Sequence, residues 1–110
     1  MSSFQCHEEH VESTLTLQFI EPSVIDRGWQ YILHHKLQNV LLQENVSTLI
    51  LNMENVQIVD GCFAGVLIDA YKAANQQHVS LQQTNVSDGI MEAYRLLKVD
   101  SLFFKQESAI

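Results

Sequence analysis

Apolar positions along the chain change period several times, and each change marks an element. In residues 13–20, Leu15, Leu17 and Phe19 alternate with Thr14, Thr16 and Gln18. Period two with β-branched residues is the pattern of a half-buried strand. Pro22 ends it, because proline cannot donate to a strand ladder. Over residues 23–43, Ile25, Trp29, Ile32, Leu33, Leu37, Val40 and Leu41 recur at spacings of three and four. That spacing predicts an amphipathic helix, with Ser23 or Asp26 as its cap. Residues 47–53, STLILNM, are short and nearly continuously apolar, as in a central strand covered on both faces. Phe63, Val66, Leu67, Ala70, Tyr71 and Ala74 predict a second helix over residues 63–75. Residues 78–83 read as a short strand. Asn85 or Ser87 then caps a third helix whose apolar face is Ile90, Met91, Tyr94 and Leu97. Residues 100–106, DSLFFKQ, read as a last short strand or an ordered tail.

The order β–α–β–α–β–α, with an optional final strand, predicts an α/β fold. Alternation of this kind gives a mostly parallel sheet, here of four to five strands, with helices packed on it. Residues 1–11 are polar and acidic and read as a flexible N-terminal arm before one domain over residues 12–110. Composition narrows the partners. Thirteen Asp and Glu face six Lys and Arg, a formal charge of −7. Nucleic acid demands clustered basic residues, and anionic lipid demands a polybasic patch, so neither is expected. No apolar run reaches the roughly 20 residues that span a bilayer, and residues 1–12 lack a secretory pattern. A cytoplasmic domain without direct membrane insertion follows as the expectation. Cys6 and Cys62 read as reduced thiols rather than a disulfide framework.

Candidate chemistry concentrates in residues 59–67, VDGCFAGVL, at a strand-to-helix junction. Asp60 is placed either to cap the helix or to contact a partner. Gly61 and Gly65 match neither the phosphate loop nor the dinucleotide fingerprint. Cys62 is a packed cysteine, a redox-sensitive thiol or, given a nearby base, a nucleophile. Phe63 is an exposed anchor or a core plug. In CHEEH, residues 6–10, Cys6, His7 and His10 fall short of the four ligands of a closed zinc site. The two histidines are three apart, not the four of H-E-x-x-H. His34 and His35 are adjacent on a helix and point in different directions. No metal or cofactor is therefore expected.

The pattern also resembles the STAS domain, the fold of bacterial anti-sigma factor antagonists. The resemblance covers about residues 12–105. It rests on element order, on LILNMENVQIVD, on Gly65-Val66-Leu67 and on the closing MEAYRLLKVDSLF, similar to the family ending L-x-x-x-G-L-x-x-x-F. The family motif reads roughly D-S-S-G-L-G-x-L, where this chain has Asp60-Gly61-Cys62-Phe63-Ala64-Gly65-Val66-Leu67. The resemblance implies a non-catalytic interaction module. In its best-known members the residue after the motif Asp is a Ser or Thr that a kinase-like anti-sigma factor phosphorylates. The added charge then breaks the complex. Here that position is Gly61, which has no hydroxyl. The implied partner surface is Asp60, Gly61, Cys62, Phe63, Ala64 and Val66, with Ser87 before the third helix as a second contact. The implied partner is an anti-sigma factor of the serine-kinase type, or the ATPase of a lipid-trafficking ABC transporter. A redox-sensitive or ligand-binding role for Cys62 stands as the alternative.

Overall fold

The computed structural model describes residues 6–104. The chain runs β1 (Cys6–Val11), β2 (Thr14–Phe19), α1 (Arg27–Leu41), β3 (Thr48–Asn52), α2 (Gly61–Gln76), β4 (Ser80–Thr84), α3 (Asp88–Leu96) and α4 (Asp100–Phe103). The strands form one sheet in the order β1-β2-β3-β4. β1 is antiparallel to β2, and the β2–β3 and β3–β4 pairs are parallel. This is the expected mostly parallel α/β sheet, with four strands.

One face of the sheet carries the core. Leu15, Leu17 and Phe19 of β2 are buried, as are Leu49 and Leu51 of β3. The alternate positions Thr14, Thr16, Gln18, Thr48, Ile50 and Asn52 are only half-buried. The apolar run at β3 therefore does not make a strand covered on both faces. Ile50 alone interrupts an otherwise alternating pattern.

Residues 6–11 are also not an arm. They are the edge strand β1, paired along their length with β2 from Cys6 opposite Phe19 to Val11 opposite Thr14. Glu12, at φ 55°, turns the hairpin. An edge strand is held by its backbone ladder, and five of the six side chains here are exposed, so no hydrophobic alternation betrays it. Only Cys6 is half-buried; the other five residues are exposed. Lys36 on α1 adds an ion pair to Glu8 at 2.8 Å. Residues 1–5 of the expected arm, and residues 105–106 of the expected last strand or tail, lie outside the described residues.

Asp26 caps α1, its Oδ1 accepting from the Trp29 amide at 2.8 Å. Ser23 instead forms a parallel bridge with Ile58. Trp29, Gln30, Leu33, Leu37, Val40 and Leu41 face inward. At 100° per residue these six fall within one stripe about 120° wide. Ile32 lies about 120° from its centre, and Ile25 precedes the helix, so both are exposed, at 43% and 45%. The same geometry explains why a polar residue, Gln30, is buried: it sits inside the stripe.

Ser87, not Asn85, caps α3, accepting from the Ile90 amide at 3.2 Å. Asn85 takes a left-handed turn at φ 57°, which its short polar side chain tolerates. Ile90 and Tyr94 are buried, Met91 is half-buried and Leu97 is 40% exposed. Residues 100–103 form a short helix rather than a strand. A run that short and apolar has no periodicity to choose between the two. Packing decides: Phe103 stacks on Tyr71 at 5.1 Å and meets Tyr94 edge-on at 5.0 Å.

Candidate functional site

The junction between β3 and α2 is built from three segments. Residues 22–24 run beside residues 57–58: the Gln57 amide bonds the Pro22 carbonyl at 2.7 Å and the Val24 amide bonds the Ile58 carbonyl at 3.4 Å. Asp60 then caps α2, its Oδ1 accepting from the Phe63 amide at 2.8 Å. The same oxygen accepts from Gln30 Nε2 at 3.0 Å, and that amide also donates to the Val24 carbonyl at 2.8 Å. One buried side chain on α1 thus ties the start of α2 to the segment entering α1. Beneath it Phe19, Trp29 and Phe63 form an aromatic trio, with ring centroids 5.4 Å apart for Phe19–Trp29 and 6.2 Å for the other two pairs.

The residues of the expected partner surface separate. Gly61 and Cys62 are exposed, and Asp60 and Val66 are half-buried. Phe63 is 0% exposed and Ala64 3%. Phe63 is therefore a core plug and not an anchor, and neither it nor Ala64 can meet a partner directly. They occupy the inward side of the first helical turn, where the cap hydrogen bond directs Phe63 onto the trio. Cys62, expected most of all as a packed residue, lies on the outward side. Ser87 is exposed at the far end of α3 from Leu97, about 15 Å away along the helix axis.

Three contributors escaped the periodicity. Leu97, assigned by its spacing to a core face, reaches out instead: a Cβ on Gly61 would lie 4.0 Å from Leu97 Cδ2. Ile58, 52% exposed, stands two residues before Asp60. With Ile25 and Leu96, the latter 76% exposed, they leave aliphatic side chains bare on the segments that build or reach the junction. Gln30 was the third. A polar residue inside an apolar stripe is a signal available in sequence, but its partner on α2 is not.

The thiols differ. Cys6 is half-buried, and burial, with Glu8 adding to it, pushes its pKa up to about 11. The folded state therefore favours the neutral thiol. That stabilisation is complete below about pH 9 and fades as pH rises toward 11. Cys62 is exposed and makes no side-chain hydrogen bond among the described residues, so no base is engaged with its sulfur. At pH 8 an aromatic disulfide reagent should titrate one thiol quickly and the other only on unfolding. Cys62→Ser should remove the fast phase. Two equal phases would contradict this placement. Strand alternation also sends His7 to the opposite face of β1 from Cys6 and His10, so those three side chains do not converge.

A mostly parallel four-stranded sheet with its core on one face and a capped helix start after β3 defines a class of small α/β domain, and comparison places the chain within it. The STAS domain family model matches residues 9–109. The chain belongs to the STAS domain family. No curated protein matches it. Its fold is similar to the anti-sigma factor antagonist SpoIIAA in its unphosphorylated form, at TM-score 0.73 and 14% identity over 96% of this chain and 90% of that one. An anti-sigma-factor antagonist (STAS) domain protein from Planctomyces limnophilus gives TM-score 0.77 at 10% identity, over 93% and 88%. The murine anion transporter Slc26a9 gives 0.65 at 15% identity, over 80% of this chain but 14% of the transporter. At such identities the likeness is one of fold. Among the described residues, no helix is long and apolar enough to cross a membrane.

Proposed function

We propose that this STAS domain is a non-catalytic docking module, which binds a protein partner at the start of α2 and is not switched by phosphorylation at residue 61. The observation that carries this reading is the exposed apolar surface there. Ile58, Gly61, Cys62 and Leu97 present bare carbon or bare backbone around a helix start in a chain of charge −7. Depletion of charge with exposed aliphatic groups is the composition of an interface centre. The family resemblance supplies the partner class, an anti-sigma factor of the serine-kinase type. Gly61 gives that kinase no hydroxyl.

Glycine at 61 is not demanded by the backbone. A Cβ there would make only an ordinary contact with Leu97 at 4.0 Å. Gly61→Ser should therefore fold with stability unchanged or slightly raised, and should restore a phosphate acceptor if the partner is such a kinase. Leu97→Asp should weaken binding about tenfold or more, as expected for a residue at an interface centre. Affinity capture with the full chain and these two variants, followed by identification of the bound protein, tests this. Recovery of a kinase-type anti-sigma factor that Leu97→Asp releases supports it. Recovery of a transporter ATPase and no kinase would replace the anti-sigma partner. Equal retention by Leu97→Asp would move the interface elsewhere.

A further inference from the structure

Among the described residues, the helix layer stops short of the outer edge of β4. Leu81 pairs with Leu49 and faces the same side, yet Leu49 is buried and Leu81 only half-buried. The gap is a half-open groove of about 600 Å³ between α2, β4 and α4. Its apolar wall is Ile68, Tyr71, Leu81, Leu102 and Phe103. The wall is braced rather than fluid. Phe103 is stacked on Tyr71, the Tyr71 hydroxyl accepts from Gln83 Nε2 at 3.3 Å, and the Tyr94 hydroxyl donates to Gln83 Oε1 at 2.7 Å.

The charge in this groove is opposite to that of the chain. Lys72 is the one charged residue among its described lining, which includes no carboxylate. Lys72 stands one helical turn beyond Ile68, lines the groove and is exposed. It makes no ion pair among the described residues; those formed are Lys36–Glu8 and Arg95–Glu92. Asn75, a further turn along the same stripe, adds an amide donor. A preformed apolar concavity of roughly 300–1,000 Å³ with a few polar groups at one side is the usual form of a small-molecule site.

We infer that this groove binds a single-chain anionic amphiphile, a fatty-acid carboxylate. The carboxylate would sit on Lys72 and the alkyl chain along Ile68, Leu81 and Leu102. Lys72 lies eleven residues beyond Gly61, about 16 Å down the axis of α2. The groove and the docking surface are therefore separate, and neither reading depends on the other.

Titration of the full chain with octanoate, nonanoate and decanoate below their micellar concentrations, followed by amide NMR shifts, tests the assignment. Saturable shifts should centre on Ile68, Lys72, Leu81 and Leu102. Each added methylene should tighten binding about fourfold. Lys72→Glu, an exposed change, should weaken decanoate about five- to tenfold, and Lys72→Arg should retain it. The inference is overturned by the absence of saturable shifts in the groove, by decanol binding as tightly as decanoate, or by acetate alone reproducing the shifts. Shifts centred on Gly61 and Cys62 would overturn it too.

Discussion

Phe63→Ala should lower the stability of the domain by about 3–5 kcal/mol, the range for truncating a buried aromatic side chain. Phe63 is fully buried and shares its contacts with Phe19 and Trp29. None of its neighbours can follow the deleted ring inward without breaking something else. Phe19 is fixed in β2, and Trp29 follows directly on the Asp26 cap of α1. A cavity remains, and the lost contacts add to the lost transfer energy. Single domains are stable by only about 5–15 kcal/mol, so the variant should sit near the edge of unfolding. Urea unfolding followed by the emission of Trp29, the chain's only tryptophan, measures this. Cys62→Ala, one residue away but exposed, should change stability by about 0.5 kcal/mol or less. A loss below about 1 kcal/mol for Phe63→Ala would mean that the ring is not in the core.

The contrast between residues 62 and 63 shows what sequence could and could not deliver. Helical period identified α2 and put Phe63 on its apolar face together with Leu67, Ala70 and Ala74. The anchor reading of Phe63 rests on the use of aromatic side chains at interfaces as well as in cores, and not on the periodicity. The caps were legible because each needs only a short polar side chain at a local offset: Asp26, Asp60 and Ser87 all serve as caps. The edge strand β1 was not legible. Its stability is in the ladder with β2, and CHEEHV shows none of the alternation that a buried face imposes. The exposure of Ile32 was computable from the helix angle. That of Leu97 was not: it continues the stripe of Ile90 and Tyr94, but it stands at the C-cap, where α3 ends.

The proposed docking surface inherits its composition from these same facts. α2 has to turn Phe63 and Ala64 inward to complete the core. Its first turn therefore offers outward only Gly61 and Cys62, two residues that add no charge. The surface is apolar because the core beneath it takes the larger side chains. A Cβ at 61 would meet only an ordinary contact, so no crowding at the backbone demands the glycine that removes the phosphate acceptor.

The connection between that surface and the rest of the fold runs through Asp60 and Gln30. Asp60→Ala should destabilise the domain by about 2–4 kcal/mol. Loss of the cap contributes about 0.5–2 kcal/mol. The larger share comes from Gln30, whose buried amide would lose one of two acceptors. A buried donor left without a partner costs about 1–3 kcal/mol. Asp60→Asn keeps an oxygen at the same place and an equally good cap, so it should lose less than half as much. The decisive comparison is a double-mutant cycle. In a Gln30→Leu background the orphaned donor no longer exists, and Asp60→Ala should then cost only the cap. A coupling of about 1–2 kcal/mol is expected. Equal costs in both backgrounds would show that the 3.0 Å contact between Gln30 and Asp60 carries no energy. The same cycle read out as partner binding adds a second test. Gln30 also holds the Val24 carbonyl, and the Val24 amide holds Ile58, so breaking the bridge should loosen Ile58 and weaken docking. Gln30→Leu, whose side chain never reaches the surface, should therefore reduce affinity if the surface is preorganised by this link. It should leave affinity unchanged if Ile58 and Gly61 find their places only on binding.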